Sequence, residues 1–147
     1  MNKRDVQYDR LLSDGWLIQA SSKVRKTPEL ISRPLFDTNR WYPTSVPSTV
    51  LAALVENGVY KNPYFGMNLS KIPSEPFEKP WWYRKEFQLS PREASGTVLL
   101  ELDGINYSAN IWLNGNRIAA SSEVKGAFRR FQFDISKFIS EGANALA

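Results

Sequence analysis

Glu101 and Asp103, separated by one residue, are the nearest approach in this sequence to a catalytic carboxylate pair. On a strand, residues i and i+2 share a face. Two carboxyls held that way could act as proton donor and acceptor about a scissile bond. A plainer account fits better: a solvated strand face that ends in a turn aspartate before Gly104. Composition closes other routes. The 147 residues include no histidine and no cysteine. Within this chain, that excludes a Ser-His-Asp triad, imidazole–zinc sites, thiolate metal sites, cysteine nucleophiles and disulfides.

Aromatic side chains are the other chemically suggestive group, with five Trp, six Tyr and eight Phe. Such rings build cores, and they also build contact surfaces for sugars and proteins. Trp81 and Trp82 are adjacent, so on a strand they point to opposite faces. One is expected in the core. The other would cover an interdomain face or stack on a sugar, and Trp82 stands among the candidate substrate contacts. Trp112, in an apolar run, is expected in the core.

These side chains need a scaffold, and the sequence describes a mostly β one. Trp16–Ala20 is an apolar strand after the turn Ser13-Asp14-Gly15. A polar, irregular stretch follows to Arg40. Trp41 and Tyr42 precede Pro43 and are expected to anchor the next region to the core. Ser48-Thr49 can cap a helix over residues 50–57, and Gly58 ends it. Val50, Leu51, Leu54 and Val55 are its expected apolar face. Residues 60–80 are rich in Pro, Asn and Gly with Tyr64, Phe65 and Phe77 embedded, and read as a long ordered loop. Beyond it, strands are expected at 81–89 (alternating from Tyr83 onward), 97–103, 108–113, 117–120 and 128–135. Ser90-Pro91 breaks the first of them. Asn114-Gly115-Asn116 marks a hairpin, because Asn-Gly tolerates positive φ.

Short strands with turns between them and one short helix make an all-β sandwich. Its expected core is Val98, Leu100, Leu102, Ile111, Leu113, Phe131, Phe133 and Ile135. The length suits one domain over 1–147, and 42% hydrophobic residues suffice for a core. The net charge of +4 is spread among interleaved acids and bases, so no nucleic-acid surface is expected. No window approaches a membrane span. The opening Met1–Tyr8 has two basic residues and no apolar run behind them, unlike a signal peptide. Residues 143–147 read as a strand just beginning. The chain is therefore expected to be a piece of a longer protein.

The second half also carries a recognisable order of blocks. Pro80-Trp81-Trp82-Tyr83-Arg84-Lys85-Glu86-Phe87 resembles the "WWYRKxF" strand of the sugar-binding N-terminal domain in family 2 glycoside hydrolases. Leu100–Gly115, ending in Trp112-Leu113-Asn114-Gly115, resembles the block that ends in "WLNG". Phe131–Ile135 and Gly142–Ala147 resemble the closing "F-D-(I/V)…G-x-N-x-L" text. In the first half, Val46-Pro47-Ser48-Thr49 and Asn62-Pro63-Tyr64-Phe65-Gly66-Met67-Asn68 are similar to the β-mannosidase and exo-β-D-glucosaminidase branch. The resemblance runs over about residues 13–147.

What this resemblance implies is a jelly-roll β-sandwich of the galactose-binding-like kind. It would be the accessory domain of a retaining, exo-acting glycosidase whose two catalytic carboxylates sit in a separate (β/α)₈ barrel. No catalytic residue falls in this chain, and no metal or cofactor carries over to it. The expected partners are the other domains of the same polypeptide and, through the barrel, a β-linked glycoside. Export to the periplasm or cell exterior is expected for the parent, with the cytoplasm left open. Asn68 is the sharpest site candidate. In related enzymes its loop can reach the barrel mouth, where an amide bonds sugar hydroxyls. A turn amide serving local backbone is the competing account. Tyr64 and Phe65 either pack the loop onto the sandwich or wall a sugar subsite. Mannoside, glucosaminide, galactoside and glucuronide are not separated here. An autonomous carbohydrate-binding module is the alternative function.

Overall fold

The computed structural model describes residues 9–147. The basic opening segment read above for a leader lies outside them. Eight strands follow in chain order: β1 (Trp16–Ala20), β2 (Tyr42–Thr44), β3 (Trp81–Leu89), β4 (Leu99–Leu102), β5 (Ile111–Leu113), β6 (Asn116–Ala119), β7 (Phe131–Asp134) and β8 (Gly142–Leu146). Six of them form one sheet in the order β2-β1-β3-β8-β5-β6, and β4 pairs with β7 in a second. All the pairings are antiparallel. This is the expected two-layer sandwich. The segment read as a strand just beginning is a central strand, β8, hydrogen-bonded to β3 on one side and β5 on the other.

The main core fills the space between the sheets, and period-two alternation supplies it. Phe87 and Leu89 of β3, Ile111 and Leu113 of β5, Ala119 and Leu146 meet Leu100 and Ile135 there, with Val124 beneath a turn. Of the expected core, Leu100, Ile111, Leu113 and Ile135 are buried. Val98, Leu102, Phe131 and Phe133 pack at its margin. Phe131 and Phe133 stack with centroids 6.4 Å apart. Trp112 departs from expectation. It is half-buried and alternates with buried Ile111 and Leu113, so it faces away from the core.

The helical content exceeds the single helix expected. α2 (Val50–Glu56) is that helix, capped by the Thr49 hydroxyl accepting from the Ala52 N–H, and its Ala53 and Leu54 are the buried residues. The face turned inward is thus rotated from the Val50/Leu51/Leu54/Val55 stripe. α1 (Pro28–Ile31) lies in the stretch read as irregular and buries Ile31. α3 (Pro91–Ala94) occupies the Ser90-Pro91 break, where Ser90 and Glu93 form a reciprocal capping box. Proline at the first helical turn started a helix here, after ending the strand.

α1 and the chain after it cover the second face of the large sheet. Arg84 holds them there. Its side chain is 2% exposed. Its guanidinium donates to the carbonyls of Ile31 and Arg33, each at 2.7 Å, and pairs with Glu86. Gln19, buried on β1, donates to the Arg40 carbonyl at 2.7 Å. Arg84 and Gln19, buried on this face, are each hydrogen-bonded to backbone carbonyls of the covering chain.

Two asparagines from separate family-like blocks tie the hairpin to the last strand. Asn114 and Gly115 form the two-residue turn between β5 and β6, with φ of 50° and 85°. The Asn114 side chain donates to the Asn144 side-chain oxygen at 2.7 Å and to the Phe138 carbonyl at 2.8 Å. Its own oxygen accepts from the Ala145 N–H at 2.8 Å.

Candidate functional site

The segment between α2 and β3 is ordered by its own polar groups. Gly58 leaves the helix at φ 72°. The Asn62 side chain accepts from the Tyr64 N–H at 2.9 Å, and its carbonyl accepts from Phe65 N–H at 3.2 Å. Short 3₁₀ turns follow at Leu69–Lys71 and Glu75–Phe77. The return is fixed where the Trp81 indole N–H donates to the Pro76 carbonyl at 2.8 Å and the Ser21 N–H to the Pro80 carbonyl at 3.0 Å. Tyr60 and Phe77 rings close the base, 6.2 Å apart.

This polar frame displays an apolar tip. Tyr64 is 96% exposed, Phe65 76%, Met67 70% and Leu69 61%. Burying such side chains is favourable, so leaving four of them together in water forgoes that gain. Contiguous exposed apolar surface of this kind marks contact sites. Tyr64 and Phe65 therefore do not pack the loop onto the sandwich. Sequence reasoning missed Met67 and Leu69, although their place in a Pro- and Asn-rich segment was a signal.

Asn68 sits behind that tip. Its amide donates to the Asn62 carbonyl at 2.9 Å, as a turn amide would. Its side-chain oxygen is left open among the described residues. It lines a shallow cavity of about 120 Å³ with Val59, Tyr60, Lys61, Lys71 and Ile72. A second cavity, of about 170 Å³, shares Val59 and Tyr60 but has Trp81 as a wall. Trp82 is elsewhere: it pairs across β1 with Gln19 and alternates with Trp81, which puts it on the sheet face that carries Arg84. The structure thus places Asn68, Tyr64 and Phe65 in one loop and Trp82 apart from them.

The carboxylates supply no catalytic pair. Glu101 accepts from the Gln132 amide at 2.6 Å, and Asp103 lies 3.4 Å from Arg130 with both side chains in solvent. Three carboxyls are held below ordinary acidity by local hydrogen bonds, and Glu29 is one of them, lowered by a backbone hydrogen bond and by the Thr27 side chain. Glu93 is held below the usual range by the Ser90 hydroxyl and N–H, and Asp134 by those of Ser136. Burial raises the Tyr83 phenol, which donates to the Ser48 carbonyl at 3.1 Å. Among the described residues, no group of three acids could hold a metal ion, and no helix is long and apolar enough to cross a membrane.

The fold is a two-sheet antiparallel sandwich of the galactose-binding-like jelly-roll class, and it carries an exposed apolar loop tip. The family model for the glycosyl hydrolase 2 galactose-binding domain-like family matches residues 16–147, and the chain belongs to that family. It is 38% identical over 133 residues to an exo-β-D-glucosaminidase of Streptomyces avermitilis, covering 90% of this chain and 14% of that protein. It is 32% identical to a mannosylglycoprotein endo-β-mannosidase of Lilium longiflorum, covering 94% of this chain and 15% of the relative. The crystal structure of Amycolatopsis orientalis exo-chitosanase CsxA superposes with a TM-score of 0.88 at 33% identity, over 95% of this chain and 16% of that one. A β-D-mannosidase from Dictyoglomus thermophilum gives 0.70 at 27%, over 90% and 14%. The chain spans about a seventh of the length of these relatives.

Proposed function

We propose that this chain is the accessory sandwich of a larger retaining glycosidase of the exo-β-D-glucosaminidase and β-mannosidase kind. It braces the catalytic barrel and lends its 60–80 loop to the edge of the sugar pocket. The carrying observation is the exposed Tyr64, Phe65, Met67 and Leu69 cluster on a loop that its own hydrogen bonds hold rigid. A surface prepared in that way suits docking with little ordering cost. Asn68, with its side-chain oxygen open, can accept from a sugar hydroxyl beside that tip. The hydrolytic carboxylates belong to the barrel, which in retaining enzymes holds them about 5–5.5 Å apart. Relatives many times longer than this chain support a multidomain parent. Export of that parent fits its class of substrate.

The test uses the full-length polypeptide. Asn68→Ala is expected to lower kcat/KM for an aryl β-glycoside by at least roughly tenfold, as for loss of one well-placed hydrogen bond. An unchanged kcat/KM sinks the role of Asn68. Hydrogen exchange checks the docking itself. Amides 64–69, three of which already donate within the loop, should exchange more slowly in the intact polypeptide than in the 147-residue chain. Equal exchange in both refutes the brace.

A further inference from the structure

The loop that displays the apolar tip carries charge of one sign only. Residues 57–74 include Lys61 and Lys71 and no acid. The two lysines bracket the exposed Tyr64, Phe65, Met67 and Leu69 in the chain, and both line the shallow cavity of about 120 Å³ together with Tyr60 and Asn68. Neither ammonium has a partner among the described residues. Glu75, the next acid along the chain, is taken by Lys79.

Unpaired ammoniums beside an apolar tip are well hydrated while the tip stands in water. Docking the tip strips water from its rim, and a charge that loses water without gaining a partner is penalised. A neutral or basic surface would impose that penalty at both lysines. An acidic side chain offsets it, and complementary charges also steer two surfaces into register. The cavity itself points the same way. Its walls hold two cations and no anion. Its volume is far below the roughly 300 Å³ at which pockets for drug-sized ligands begin, which suits a single carboxyl. Asn68 brings one amide hydrogen beyond the one it gives to the Asn62 carbonyl, so it too can donate to a carboxylate while its oxygen stays open.

We propose that Lys61, Lys71 and the cavity they line form a socket for one Asp or Glu side chain, so that the surface receiving the 60–80 loop in the parent polypeptide is an apolar groove with an acidic rim. The inference rests on the docking reading above and gives that docking its chemistry: the apolar side chains enter the groove and the two lysines fix its register. An anionic lipid surface attracts the same combination of charge and apolar area. Membrane surfaces, however, are read by clusters of roughly 4–8 Lys or Arg, and this loop has two.

The experiment treats the intact polypeptide with a water-soluble carbodiimide, which joins an amine to a carboxyl in contact with it and leaves as the urea. Proteolysis and mass spectrometry should find Lys61 or Lys71 linked to an Asp or Glu outside residues 1–147. Lys61→Glu combined with Lys71→Glu should speed exchange of amides 64–69 in the intact polypeptide at least roughly tenfold, because like charges then meet across the rim. In the 147-residue chain the same double variant should leave Tm unchanged, since neither ammonium has a partner there, so faster exchange is not a failure to fold. The proposal is overturned if no such cross-link forms, if the double variant exchanges like the parent, or if the 147-residue chain sediments with phosphatidylserine vesicles and not with phosphatidylcholine ones, which would assign the tip to a membrane. Equal exchange of amides 64–69 in the intact polypeptide and the 147-residue chain refutes docking itself. Slower exchange in the intact polypeptide that survives the charge reversal refutes the acidic socket alone.

Discussion

Asn144→Ala should cost this sandwich a large part of its stability although it removes no apolar contact. Asn144 is fully buried. Its oxygen accepts from the Asn114 amide at 2.7 Å and the Ser140 N–H at 3.0 Å, and its amide donates to the carbonyls of Ser140 and Gly142 at 2.8 and 2.9 Å. Truncation breaks all four bonds. At about 1 kcal/mol net for each, the loss approaches about 4 kcal/mol. Ser140 is exposed and Gly142 half-buried, so water can replace part of it, and Asn114 keeps its bond to Phe138. The expected cost is therefore about 2–4 kcal/mol, against the 5–15 kcal/mol typical of a domain. With urea m-values of about 1–3 kcal/mol/M, the midpoint should fall by about 1–2 M. Tryptophan fluorescence and far-UV circular dichroism followed together would read it and check two-state behaviour. A double-mutant cycle with Asn114→Ala isolates the direct amide contact, expected to couple by about 0.5–1.5 kcal/mol. A midpoint shift under about 0.3 M, or zero coupling, would refute the view that this pair locks β8 beside the hairpin.

Three further outcomes are expected. Gly115→Ala should destabilise by about 2 kcal/mol, because an L-residue at φ 85° is strained and its Cβ would lie 3.0 Å from Arg33 Nε and 3.3 Å from the Glu29 carbonyl; calorimetry showing an unchanged Tm would contradict this. Arg84→Met should cost about 2–4 kcal/mol by orphaning the Ile31 and Arg33 carbonyls and leaving Glu86 with only its Leu35 N–H donor, and exchange should accelerate first in residues 31–36. Acid should weaken the fold through Glu93 and Asp134. Their folded-state carboxyls titrate below the ordinary 4.5 and 3.8, so their contribution is present above those values and lost as pH falls through the folded ones. Ser90→Ala with Ser136→Ala should flatten the fall in urea midpoint below pH 4.5, and an equally steep fall would exclude these caps as its cause.

Local chemistry accounts for what was legible in the sequence. Trp16–Ala20 was readable because a turn precedes an apolar run, and the β5–β6 hairpin because Asn-Gly permits positive φ at both turn positions. Thr49 and Gly58 bound α2 by capping and left-handed geometry, which act within a few residues. The capping box at Ser90–Glu93 was equally local, and its Ser-x-x-Glu spacing was overlooked beside the strand-breaking proline. The order of family-like blocks carried the fold and the family, and the matched family model covers residues 16–147.

Tertiary structure decided the rest, because burial depends on what arrives from far along the chain. Trp112 has the composition of a core residue, but its register leaves it on the outer face. Arg84 looks like a surface cation in a strand, yet α1 closes over it, and only that distant backbone supplies the acceptors that make its burial tolerable. Residues 64–69 have loop composition whether their side chains turn inward or outward. The hydrogen bonds of Asn62 and Asn68 fix the backbone, and that geometry alone left Tyr64 and Phe65 in solvent. The sequence by itself determined most of the strands, the turn between β5 and β6, and the family to which the chain belongs. Which faces they bury, and which aromatic rings stay open for a partner, follow from long-range pairing that places β8 between β3 and β5.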